Sequence, residues 1–149
     1  MRLVLFEPDI PQNAGSLLRL GACLGVPVDI VEPCGFVFSD AHLRRAGMDY
    51  LEHADYVRHA SWAAFLAQHK VGRIVLLTSK GAVPYTAFAF AADDCVVLGR
   101  ESAGVPDDVH ARADASLRIA MKSGLRSINV AQAGAMVLGE ALRQTGLFP

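Results

Sequence analysis

Five short apolar runs, set apart by helical patterns, constrain the fold of this chain more than any other feature. They are RLVLF at 2 to 6, VDIV at 28 to 31, RIVLLT at 73 to 78, CVVLG at 95 to 99 and SLRIA at 116 to 120. Each is short enough for a buried strand. Helical patterns fall between them. One covers 15 to 25 with Leu17, Leu20 and Leu24 on one face, another 39 to 46 opened by Ser39, and a third 61 to 70 opened by Ser61. Strands alternating with helices predict an α/β fold, a mainly parallel sheet with helices on both faces. In such sheets ligands bind beyond the carboxyl ends of the strands, so the functional residues are expected on those loops.

The last pattern, 127 to 145, is apolar over most of its surface and reads as a buried helix. Ala131, Ala135 and Gly139 recur four apart, a small-residue stripe that permits close packing against the sheet or against a second copy of the chain. Asn129, Gln132 and Glu140 in the same segment argue against a membrane helix. A length of 149 residues suits a single domain over 1 to 149. An apolar share of 52% supplies a core for it.

The formal net charge is −1, so no global positive field draws the chain to nucleic acid, and any RNA contact must be local. Arginine outnumbers lysine eleven to three, which suits bidentate phosphate recognition and equally fits a genome rich in G and C. Cys23, Cys34 and Cys95 are far apart and lack CxxC spacing, so neither a disulfide framework nor a zinc knuckle is expected. The opening MRLVLFEPD reaches an acid after too short an apolar stretch for a signal peptide, and no run approaches a membrane span. A soluble, cytoplasmic protein is expected.

Common catalytic signatures are missing. No GxGxxG follows a strand and no GxxxxGK[ST] occurs, which disfavours dinucleotide and Walker-type cradles. In GRESAG the serine stands one residue too late for a GxSxG elbow. The histidines at 42, 53, 59, 69 and 110 show no metal-ligand spacing, so no metal is expected. Glycine-rich loops at strand ends remain, able to offer backbone N–H and C=O groups to an adenosine-type cofactor that carries no phosphates.

Three loop segments hold the polar residues that chemistry needs. In EPDIPQNAG, Asn13 reads locally as the N-cap of the first helix, with Arg19 inside its otherwise apolar run. In LGRESAGVP, Gly99 ends a strand and Arg100 with Glu101 form a turn that Gly104 and Pro106 close. In KSGLRSINVAQ, Ser127 and Asn129 stand at the mouth of the last helix, where a capping serine is the plain reading.

Taken in order, NAG with an arginine six residues past the asparagine, then LGRESAGVP, then LRSINVAQAGA resemble the three motifs of the SpoU (TrmH-type) branch of the SPOUT RNA methyltransferases. LFEPDIPQNAGSLLRLGACLG, VEPCGF, LRRAGMDY and LLTSKG extend the likeness over nearly the whole chain. They look like the minimal subfamily that 2′-O-methylates the wobble nucleotide, position 34, as cytidine or modified uridine of tRNA. The resemblance implies an α/β fold with a C-terminal trefoil knot, a homodimer whose cleft lies between subunits, and S-adenosyl-L-methionine as cofactor. Implied cofactor contacts are Leu77, Thr78, Gly99, Glu101, Ile119, Met121 and Ser127, and implied catalytic residues are Arg19, Asn13, Glu101, Ser127 and Asn129. The chain has no broad basic surface, so contact with the anticodon region of tRNA is expected from a local patch of Arg19, Arg44, Arg45 and Arg126, which a dimer would double. Leu125, Gln132 and Gly139 depart from the family pattern, where serine, asparagine and an aromatic are usual. Alternatives are another tRNA or ribosomal RNA target, or an RNA-binding module that kept the fold without the chemistry.

A ribose hydroxyl is a weak nucleophile, so such a site must align it, stabilise the developing alkoxide and take its proton. Because guanidinium groups stay protonated in proteins, the resemblance is best served by Arg19 as a charge stabiliser rather than a base. The proton then leaves to a neighbouring phosphate or water. Asn13, Ser127 and Asn129 would position the ribose.

Overall fold

A computed structural model describes residues 1–38, 51–69 and 72–149. Seven parallel strands form one sheet: β1 Arg2–Phe6, β2 Val28–Val31, β3 Tyr56–His59, β4 Ile74–Leu77, β5 Val83–Pro84, β6 Cys95–Leu98 and β7 Ala115–Arg118. Their spatial order is β3-β2-β1-β6-β4-β7-β5. β1 and β2 run over the residues the apolar pattern predicts, and β4, β6 and β7 fall within a residue or two of it. The edge strands β3 and β5 escape that pattern. β3 is YVRH with two exposed positions, and β5 is only two residues long.

Alternation along the strands builds two cores. Leu3, Leu5, Val96 and Leu98 face α1 (Pro11–Leu24) and α4 (Val130–Thr145). Val4, Phe6, Ile74 and Val97 face α2 (Trp62–Gln68) and α3 (Asp107–Arg112), which supply Phe65 and Val109. The α/β reading, with helices on both faces of a parallel sheet, is therefore the observed architecture. The predicted helix at 39 to 46 lies outside the described residues.

Two helix starts differ from expectation. α1 begins at Pro11 rather than near residue 15, after Ile10, which makes no side-chain cap. Proline suits the first helical turn, where its missing N–H would have no partner. Asn13 therefore lies inside the helix and is not its N-cap. α4 begins at Val130, and its cap is Asn129 rather than Ser127, with the Asn129 side chain accepting from the Ala131 and Gln132 amides at 2.9 and 3.3 Å. α2 starts as predicted, its Ser61 hydroxyl accepting from the Ala64 amide at 3.1 Å.

The expected burial of the last helix holds for one face only. Ala133, Gly134, Val137, Leu138, Ala141 and Leu142 are buried. Gly134 allows the closest approach, since a Cβ there would sit 2.8 Å from side-chain atoms of both Leu17 and Leu98. Of the Ala131, Ala135 and Gly139 stripe, Ala131 packs against the core and the other two do not. Ala135 is exposed, and a Cβ on Gly139 would meet nothing within 4 Å. Beside it, Met136 is 41% exposed. Among the described residues, no helix is long and apolar enough to cross a membrane.

Candidate active site

Loops at the carboxyl end of the sheet surround one cleft of about 510 Å³, a size that suits a small-molecule ligand. Three adjacent strands supply its floor: Leu77 and Thr78 at the end of β4, Gly99 beyond β6, and Ile119 and Met121 beyond β7. Asn13 from α1, the turn from Arg100 to Val105, and residues 126 to 130 leading into α4 wall it. The loop location predicted from the parallel sheet is thus observed.

The turn after β6 is tight. Arg100 and Gly104 exchange backbone hydrogen bonds, each of 2.9 Å, and Gly104 has φ +70°. Gly99 passes so close beneath it that a Cβ would lie 2.8 Å from the Gly104 carbonyl carbon. Only glycine fits there without displacing backbone. This compact turn aims Glu101 at the first helix.

A chain of side-chain hydrogen bonds then joins the three segments. Glu101 Oε1 accepts from Asn13 Nδ2 at 2.9 Å, and Asn13 Oδ1 accepts from Asn129 Nδ2 at 2.9 Å. Asn129 Oδ1 caps α4. Glu101 Oε2 also accepts the Asp9 backbone N–H at 2.8 Å. Asn13, 8% exposed, therefore donates to one partner and accepts from the other, linking residues 88 and 116 positions away. Both donors to Glu101 are neutral amides, so its negative charge stays at the cleft.

A second cluster braces the same turn. Asp9 Oδ1 accepts from Arg100 Nη2 at 3.2 Å, and Asp9 Oδ2 accepts from the Ser102 amide at 3.1 Å and from its hydroxyl. Arg100 Nη1 donates to Glu7 Oε2 at 3.0 Å. The Ser102 hydroxyl, followed by its amide and Arg100, holds the Asp9 carboxyl below its ordinary range, against the opposing effect of burial. Sequence reasoning missed Asp9 and Ser102, and placed Arg100 in the turn without a partner from the first loop. A local pattern carries no signal for contacts spanning about ninety residues.

Of the expected site residues, Leu77, Thr78, Gly99, Glu101, Ile119, Met121, Asn13, Arg126, Ser127 and Asn129 all line this cleft. Arg19 does not. It lies on the exposed side of α1, six residues and so about 240° of helical rotation from Asn13. Arg44 and Arg45 lie outside the described residues. Among the described residues, no group of three or more His, Cys, Asp or Glu side chains could hold a metal. What the cleft offers is backbone at three strand ends, apolar side chains at Leu77, Ile119 and Met121, and one carboxylate without an ion-pair partner in its bonds. That donor set fits a nucleoside ligand bearing positive charge better than a phosphorylated one.

Comparison with known proteins agrees with this geometry. The model of the family described as SpoU rRNA methylase matches residues 1–139. The chain is a member of that SpoU methylase family. The family includes a curated relative from Beijerinckia indica subsp. indica, named tRNA (cytidine(34)-2′-O)-methyltransferase, which is 58% identical over 97% of this chain and 91% of its own length. A solved structure described as giving structural insights into the 2-OH methylation of C/U34 on tRNA superposes with a TM-score of 0.90. It is 40% identical and covers 96% of this chain and 94% of its own. An AdoMet-bound rRNA methyltransferase from Sinorhizobium meliloti reaches a TM-score of 0.83 at 25% identity, over 95% of this chain and 55% of its own. As a SpoU-family methyltransferase the chain is an enzyme, and the cleft described here is its candidate active site.

Proposed function

We propose that this enzyme methylates the ribose 2′-hydroxyl of nucleotide 34 of tRNA, a cytidine or a modified uridine, with S-adenosyl-L-methionine as methyl donor. The observation that carries the reading is the hydrogen-bonded chain Glu101, Asn13, Asn129, which ties all three family segments into one cleft wall. The names of the relatives supply the position on tRNA.

The cofactor, when bound, supplies an electrophilic methyl group on a positively charged sulfur. Leu77, Thr78, Gly99, Ile119 and Met121 would hold it through strand-end backbone and apolar contact, and Glu101 would favour its charge. Ser127 and Arg126, both exposed at the cleft, would meet the ribose and a phosphate. Asn13 and Asn129 fix the wall, since their side chains already bond to each other and to Glu101 and α4.

Arg19 fits this chemistry only from a second copy of the chain, because it faces away from its own cleft. A homodimer with the cleft between subunits is therefore part of the proposal, supported by exposed apolar Ile10 at the cleft and by exposed Leu125 and Met136 ahead of and on α4. Arg19 would stabilise the developing alkoxide, and the proton would pass to a phosphate or water. The family knot is also proposed for this chain. A Cβ on Gly81 would lie 2.2 Å from the Leu117 carbonyl group, which marks how closely the 78–82 loop hugs β7. Action on tRNA suits a cytoplasmic location, and Arg44, Arg45 and Arg126 would complete the RNA-binding patch with Arg19.

Mass spectrometry of tRNA nucleosides from a deletion strain, with and without the gene restored, tests the reading. Loss of the methyl group at position 34 and its return on complementation are expected. An unchanged position 34, with a 2′-O-methyl lost elsewhere in total RNA, would assign a different target. Arg19→Ala should abolish transfer while leaving cofactor affinity by calorimetry within a few-fold; unchanged turnover would remove Arg19 from the mechanism.

A further inference from the structure

We propose that Asp9 is a positioning residue, a latch that sets Glu101 and, through it, Asn13 and Asn129 for methyl transfer. The inference rests on the methyltransferase reading above and concerns how its cleft is held in shape.

Asp9 grips the turn on either side of Glu101. Its side chain accepts from Arg100 before it and from Ser102 after it, while its backbone N–H donates to the Glu101 carboxylate itself. Three consecutive residues of one turn are thus tied to one residue of the β1–α1 loop. The opposite side is walled: a Cβ on Gly35 would lie 2.9 Å from both the Asp9 Cα and its Oδ1, and the Gly35 amide donates to the Pro8 carbonyl at 2.9 Å. Gly35 therefore packs directly against Asp9 on the side away from the turn.

Other roles for this cluster fit less well. Asp9 does not line the cleft, so it touches neither substrate nor cofactor there. Bonds from Arg100 and Ser102 favour its ionised form, which makes it a poor proton acceptor. Arg100 lines the cleft but is held by two carboxylates, Glu7 and Asp9, so its charge is already matched and it acts as a strut rather than a phosphate ligand. What remains is geometric control of Glu101. Each bond of the wall, Asp9 to the turn, Glu101 to Asn13 and Asn13 to Asn129, depends on the one before it.

Two readouts test the latch. In the cofactor-free protein, the side-chain amide NMR signals of Asn13 and Asn129 should both shift in Asp9→Ala, since Asn13 donates to the carboxylate the latch positions. Unmoved signals would overturn the proposal. In single-turnover methyl transfer, Asp9→Ala and Glu101→Gln should each lower the rate by about tenfold or more, and the double variant should lose little beyond the worse single one. Fully additive losses would overturn it, because a merely stabilising residue would add its own penalty. Ser102→Ala, which removes one hydroxyl from the latch, should shift the same signals and slow transfer about threefold, and covers the case in which Asp9→Ala does not fold. If the wild-type enzyme transfers no methyl to nucleotide 34, the functional reading fails, while the amide signals still decide the latch.

Discussion

Replacing Asn13 by alanine removes one side chain that two partners share. Glu101 Oε1 loses a donor at 2.9 Å and Asn129 Nδ2 loses an acceptor at 2.9 Å, beside a residue only 8% exposed. A hydrogen bond to a charged group is worth about 1.5–3 kcal/mol and a neutral one about 0.5–1.5 kcal/mol. Water entering from the cleft will satisfy part of the orphaned carboxylate, which brings the expected loss to about 2 kcal/mol, near the bottom of that combined range. For a chain of this length that is a fall in Tm of about 4–8 °C. Urea unfolding followed by circular dichroism measures it, and a loss below about 0.5 kcal/mol would show that the bonded chain contributes nothing net. Asn13→Asp gives the same test a sign. It sets a second carboxyl against Glu101, and the like charge raises the pKa of the new group in the folded state above its unfolded value near 4. The folded protein then binds more protons than the unfolded one, so its deficit against wild type should grow as pH rises from about 4 to 7 and shrink on acidification. A deficit that does not vary with pH would refute the contact.

Gly99→Ala should weaken cofactor binding more than tenfold by calorimetry and cost about 1–3 kcal/mol of stability, because the new methyl meets Gly104 backbone at 2.8 Å; wild-type affinity would count against it. Asp9 has a folded pKa below its ordinary value, so its contribution is complete above the unfolded pKa near 4 and lost as pH falls through the lower folded one. The stability gap between wild type and Asp9→Asn should therefore close only on acidification. Burial pushes the thiols of Cys34 and Cys95 up to about 11, whereas Cys23 is exposed. At pH 8 iodoacetamide should label Cys23 first, and equal labelling of all three would contradict the burial.

The central strands were legible because β1, β2 and β6 are buried on both faces and so are mostly apolar, with Asp29 the one buried charge among them, paired to Arg2 and His59. β3 was not, since an edge strand with Val57 and Arg58 exposed keeps no such signature. Helix starts misled for a related reason. Asn13 and Ser127 look like caps, but Pro11 starts α1 without a side-chain cap and Asn129 takes the capping role at α4. For α4 the sequence offered a regular stripe of small residues, yet the close contact is at Gly134, whose importance depends on Leu17 and Leu98 arriving from elsewhere in the chain. The site divides in the same way. The order of three motifs identified the residues of the cleft, whereas the bonds that join them, and the role of Asp9 beside them, depend on a register between strands that no local pattern encodes.

The wall of the cleft is assembled from segments far apart in the polypeptide, and synthesis on the ribosome delivers them in a fixed order. Asn13 emerges early, and Glu101 and Asn129 follow 88 and 116 residues later. At about 5–20 residues per second, Asn13 waits at least several seconds for its last partner. Closing contacts over such distances is also slow to nucleate. A nascent or truncated chain that lacks Asn129 and α4 can display the first motif but not the wall, so the arrival of that segment sets when the cleft can first form.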